Sequence, residues 1–85
     1  MKSDPKQLSV IARAPFHIYY EGPAQSVSAT NIVGDFDVLP GHADFFSVLE
    51  SGEVIIETGG DPISFHLSNG IIAVRDDEVM LFANM

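Results

Sequence analysis

Apolar and polar residues alternate in short stretches along most of this chain. From Leu8 to Ala14 the order LSVIARA sets Leu8, Val10, Ala12 and Ala14 on one side, and Ser9, Ile11 and Arg13 on the other. A period of two is the mark of a half-buried strand. Pro15 interrupts the run and predicts a bend or sheet edge. FHIYY at residues 16–20 alternates next, with Phe16, Ile18 and Tyr20 on one face and His17 and Tyr19 on the other, and EGP at 21–23 is read as a break. AQSVSAT at 24–30 is a weaker strand candidate of small and hydroxyl residues, and a turn at 31–34 leads into GDFDVLPGHADFFSVL at 34–49.

Beyond that central stretch, Ser51-Gly52 marks a turn and EVIIET at 53–58 a strand. GGDP at 59–62 is a strong turn signal. ISFHL at 63–67 points Ile63, Phe65 and Leu67 inward and Ser64 and His66 outward. SNG at 68–70 predicts a hairpin with positive φ at Asn69 and Gly70. IIAVR at 71–75 and EVMLFA at 78–83 are the last two strands, turning at Asp76-Asp77. No window has helical periodicity with caps. The pattern predicts an all-β fold, an antiparallel β-sandwich of two sheets with roughly eight to ten short strands.

At 85 residues the chain is expected to be a flexible N-terminal tail over 1–7 and one sandwich domain over 8–85. It has no cysteine, so neither disulfides nor thiolate-bound metal support the fold. No apolar run reaches the roughly 18 residues of a membrane span. MKSDPKQ lacks the apolar core of a signal peptide.

Charge narrows the partners. Twelve acidic against four basic residues give a formal net charge of −8. Lys2 and Lys6 lie in the leading tail, leaving Arg13 and Arg75 for the body. Such a surface repels phosphate backbones and anionic lipid heads, which argues against nucleic acid as a partner. The aromatic residues read mostly as core, with Tyr19 partly outside.

The central stretch gathers what candidate chemistry there is. Asp35 and Asp37 flank Phe36, so in an extended segment both carboxylates point the same way. Pro40 sets φ for the first central position of a turn and Gly41 tolerates positive φ at the second, pushing His42 to the lip of the reversal. Paired carboxylates serve acid–base chemistry or a hard cation, but no further oxygen ligands follow in calcium-loop register. His17, His42 and His66 have no local metal-site spacing and are read as unrelated. No nucleophile elbow or phosphate loop is present. The residues alone end at a small acidic β-sandwich, a binding or structural module. An enzyme using Asp35, Asp37 and His42, or a stand-alone module binding a sugar or a metal ion, are the rival readings.

The unbroken VLPGHA at Val38–Ala43 carries a resemblance. GDFDVLPGHADFFSVL resembles the pattern Gly-acid-Phe/Leu-Gly-Ile/Val-Leu-Pro-Gly-His-Ala-Pro-Leu-Leu-Thr-x-Leu of the N-terminal β-sandwich domain of rotary ATP synthase epsilon subunits, called delta in mitochondria. LSVIARAP and YEGPAQSVSA resemble that family's opening segments, and FHLSNGIIAVRDDEVMLFAN its closing strands. Asp37 stands for a usual Gly, Asp44 for a common Pro, Phe45-Phe46 for a Leu pair and Asn69 for the first Gly of a Gly-Gly turn. The resemblance implies a non-catalytic central-stalk subunit without cofactor or metal. It packs on the gamma subunit and rests on the ring of c subunits. Its expected place is peripheral, without direct lipid insertion, on the cytoplasmic side of the bacterial inner membrane. The family's C-terminal helical hairpin, tied to ATP sensing, would follow about where this chain stops. By matching position, Asp35 and His42 fall in loops facing the c ring, and Asp37 and Asp44 are additional acids beside them.

Overall fold

A computed structural model describes residues 7–84. Nine strands follow one another: β1 (Leu8–Ala14), β2 (His17–Ala24), β3 (Ser26–Asn31), β4 (Gly34–Val38), β5 (Phe45–Leu49), β6 (Gly52–Glu57), β7 (Ile63–Leu67), β8 (Asn69–Arg75) and β9 (Glu78–Asn84). They form a five-stranded sheet in the order β2-β1-β9-β8-β5 and a four-stranded sheet in the order β4-β3-β6-β7. The expected two-sheet sandwich is therefore present, antiparallel except where β1 lies parallel to β9. Residues 1–6, most of the expected tail, lie outside the described residues.

The alternation read from the sequence is what builds the interior. Leu8, Val10 and Ala12 of β1 face inward beside Val79 and Leu81 of β9 and Ile72 and Val74 of β8. Across the gap stand Val27 and Ala29 of β3, Val38 of β4, Val54 and Ile56 of β6 and Leu67 of β7. Each fully buried Val, Leu or Ile contributes about 1.5–3 kcal/mol through lost apolar hydration. Alanines at 12, 24, 29 and 83 alternate with these larger side chains, which lets the two inner faces interdigitate.

Three local expectations are corrected. EGP does not break the second strand: Glu21, Gly22 and Pro23 pair with Ile11, Val10 and Ser9. Proline is accommodated there because β2 is an edge strand, and the Tyr20 hydroxyl donates to the Pro23 carbonyl. The face assignment in FHIYY fails because Ala12 pairs with Tyr20 but Arg13 with Ile18, leaving Tyr19 as the extra residue of a bulge. Ile18 is thus turned to the exposed side, and Tyr19 stacks flat on Phe65 of β7 at a centroid distance of 3.9 Å. That stack closes the sandwich between β2 and β7.

SNG makes no hairpin. β7 and β8 belong to different sheets, so the chain crosses over at Ser68, and neither Asn69 nor Gly70 has positive φ. Gly70 is required for a different reason: a Cβ there would lie 2.3 Å from the Phe82 carbonyl oxygen. The Asp76-Asp77 turn forms as expected, with φ of 52° and 63°. Two successive positive values match a type I′ hairpin, whose twist suits the flanking strands.

Candidate functional site

The central stretch folds as strand, turn, strand, and passes from one sheet to the other. In β4, Phe36 and Val38 point inward while Asp35 and Asp37 are exposed on the outer face, so the predicted sharing of one side holds. Both carboxylates have partners across the strand pair. Thr30 lies opposite Asp35 and donates its hydroxyl at 2.7 Å, and Ser28 lies opposite Asp37 and donates at 2.6 Å. Together with Glu53 and Ile55 of β6 they line a shallow depression of about 380 Å³.

The turn after β4 has the predicted geometry. Gly41 has φ of 86°, the His42 amide donates to the Leu39 carbonyl at 3.0 Å, and Pro40 supplies the fixed φ before it. His42 is exposed, its Nδ1 lies 2.7 Å from the Ala43 carbonyl, and its ring sits 4.8 Å from that of Phe45. Phe45 in turn meets the edge of Phe36, which closes the sandwich between β4 and β5. The Asp44 carboxylate accepts from the Asp76 amide at 3.0 Å.

The four candidate residues do not gather at one point. Asp35 lies near the β3–β4 hairpin, since Thr30 opposite it precedes the tip. His42 and Asp44 lie past the other end of β4, against the β8–β9 turn. A five-residue strand separates these ends by about 13 Å at ~3.3 Å per residue. Asp35 and Asp37 lie on β4, the edge strand of its sheet, and the loop carrying His42 and Asp44 continues from the far end of that strand. His17 lies beside Tyr19 in β2 and His66 pairs with Glu53 in β7. Among the described residues, no group of three or more His, Asp or Glu side chains is placed to hold a metal ion.

A second surface is one whose residues the sequence reading did not name, though an exposed sheet face with apolar residues is expected where gamma packs. On the outer face of the five-stranded sheet, Phe46, Val48, Ile71, Met80 and Phe82 are all 41–66% exposed. The register makes them continuous: Val48 pairs with Ile71 and Ile71 with Phe82, while Phe46 pairs with Ala73 and Ala73 with Met80. Three aromatics assigned to the core, Phe16, Phe46 and Phe82, are thus outside. A groove of about 590 Å³ indents one end of this face, lined by Arg13, Pro15, Val48, Asn69, Ile71 and Phe82 among others. The signal was legible: FFSVL and EVMLFAN are apolar at both alternating positions, as in strands covered on both sides. Ile32 and Val33 form a further exposed apolar pair at the β3–β4 tip, where Asn31 Oδ1 accepts from the Val33 and Gly34 amides.

The chain is thus a small two-sheet sandwich with an exposed apolar face and hydrogen-bonded surface acids. Residues 7–85 match the family model described as the ATP synthase delta/epsilon chain β-sandwich domain. The chain belongs to that family. It is 34% identical over 67 residues to the ATP synthase epsilon chain of Trichlorobacter lovleyi, covering 79% of this chain and 49% of that one. To the epsilon chain of Geobacter sulfurreducens it is 32% identical over 74 residues, covering 87% and 54%. The chain thus spans about half the length of these relatives. In fold it is similar to a chain of the Euglena gracilis mitochondrial ATP synthase, with a TM-score of 0.86 at 23% identity over 99% of this chain and 54% of that one. A chain of the Tetrahymena thermophila mitochondrial ATP synthase central stalk and c ring gives 0.79 at 15% identity, covering 100% and 67%.

Proposed function

We propose that this chain serves as a non-catalytic central-stalk subunit of a rotary ATP synthase. It holds the gamma shaft to the ring of c subunits, so that rotation driven by ion flow carries torque to ATP synthesis. In this reading it needs no cofactor and lies peripherally on the cytoplasmic side of the bacterial inner membrane, held there through the complex. The supporting observation is the continuous apolar outer face of the five-stranded sheet. Exposed contiguous apolar area of this kind marks an interaction surface. A standard interface takes about 800 Å² from each partner, about 15% of this chain's 5294 Å².

The apolar face packs on gamma. The β4 margin, carrying Asp35 and Asp37 and flanked by the His42 and Asp44 loop, faces the polar loops of the c ring. A partner lying along that edge meets both ends of β4. Surface charges of this sort steer and orient docking more than they add affinity. The test is co-purification with gamma from the same organism. Association at about 10 μM is expected. No association at that concentration, from a folded chain, would overturn the reading.

A further inference from the structure

The loop from Leu39 to Asp44 crosses from the four-stranded to the five-stranded sheet with residues 41–44 all exposed. Apart from the half-buried Pro40 and the His42 ring beside Phe45 the loop has few anchors of its own, and such a loop opens at low free-energy cost unless hydrogen bonds hold it. Here the bonds are reciprocal. Asp77 of the β8–β9 turn accepts the Gly41 amide at 2.8 Å, and Asp44 of the loop accepts the Asp76 amide at 3.0 Å. The turn is itself tied to the sheet, because the Asp77 carbonyl accepts the Ser9 amide at 2.9 Å. Both bonds are of the carboxylate-to-amide kind, which is stronger than a neutral pair when the acid is ionised.

We propose that Asp44 and Asp77 are positioning residues that clamp the Pro40-Gly41-His42 turn to the β8–β9 hairpin. The surface offered at this end is then one lip made of two loops, with His42 held at its edge. Asp44 acts by holding that lip and not by touching the partner. This role rests on the stalk reading for what docks there, but the clamp itself does not. It also separates two jobs that an acid can do on a surface: an asparagine keeps the accepting carbonyl and loses the charge.

The experiment measures amide hydrogen exchange by NMR on the isolated chain, together with ATP-driven ion pumping by the reconstituted complex. Asp44→Ala removes one clamp. Asp77→Gly removes the other without strain, since Gly tolerates the φ of 63° that Ala would resist. Exchange is expected to rise roughly tenfold at Asp76 in the first variant and at Gly41 in the second, with the unfolding midpoint little changed. Asp44→Asn and Asp77→Asn are expected to keep both amides protected. Pumping is expected to fall in Asp44→Ala and to survive in Asp44→Asn. Unchanged exchange in the Ala and Gly variants would overturn the clamp. Loss of pumping in Asp44→Asn, with Asp76 still protected, would make Asp44 a charged contact and overturn the positioning role. Failure of the unaltered chain to join gamma would remove the stalk reading, while the exchange ratios would still decide the clamp.

Discussion

The two outward faces of the sandwich are built by the same alternation and carry opposite chemistry. On the five-stranded sheet the outward positions include Phe46, Val48, Ile71, Met80 and Phe82, with Arg13, Arg75 and Glu78 on the same face. On the four-stranded sheet they include Asp35, Asp37, Glu53 and Glu57, interleaved with Ser28, Thr30, Ser64 and His66 around a single Ile55. The fully buried inward positions of both sheets are aliphatic or small, with the partly buried Tyr19, Tyr20, Phe36, Phe45 and Phe65 packed against them. Folding therefore constrains one side of every strand and leaves the other free. What differs between the free sides reflects what each face meets: one offers apolar area, the other hydrogen-bonded charge.

Neighbours on one strand sharpen that contrast most. Leu81 and Phe82 are adjacent on β9, one buried and the other 44% exposed. Leu81→Ala is expected to destabilise the fold by about 2–5 kcal/mol, read as a shifted denaturation midpoint. Gly70→Ala comes next, at about 1–3 kcal/mol, because the obstructing atom is a backbone oxygen that cannot swing away. Phe82→Asp should leave stability within about 1 kcal/mol yet weaken association with gamma by ~30-fold, measured by titration calorimetry. An equal loss of stability and binding there would mean the apolar face is part of the fold's support and not a docking surface.

The acidic face predicts smaller effects. Asp35→Lys should change stability by no more than about 0.5 kcal/mol, since the position is exposed and water replaces the Thr30 hydroxyl. It should reduce ions pumped per ATP in the assembled complex, and more so at low salt, where surface charges are less screened. An unchanged pumping ratio would break the assignment of this margin to the c ring. Ser28→Ala, which removes only the hydroxyl donating to Asp37, is expected to cost at most about 0.5–1.5 kcal/mol by thermal denaturation.

Local pattern carried a good part of this. LSVIARA and ISFHL each showed their inner face directly, because a strand covered on one side must alternate. The Pro40-Gly41 and Asp76-Asp77 turns were legible from residues that tolerate those backbone angles. Asp35 and Asp37 were correctly placed side by side. Other features had no local trace. The bulge at Tyr19 reverses which side chains face in, and it arises from pairing with β1, far from the residues that show it. Pro23 reads as a breaker until its strand is known to lie at an edge. Asn69-Gly70 looks like a hairpin until β7 and β8 are seen in different sheets.

The central stretch shows where the division falls. Its turn, its strand alternation and its likeness to one family were fixed by residues close together in the chain, through steric limits that act over a few bonds. That Asp44 would be held by an amide 32 positions away, that Asp35 and His42 would stand at opposite ends of one strand, and that β5, β8 and β9 would line up five exposed apolar side chains depended on tertiary structure alone. The reason is physical: sheet pairing joins distant segments, and register, edge position and the facing of a surface exist only once the strands have been ordered side by side.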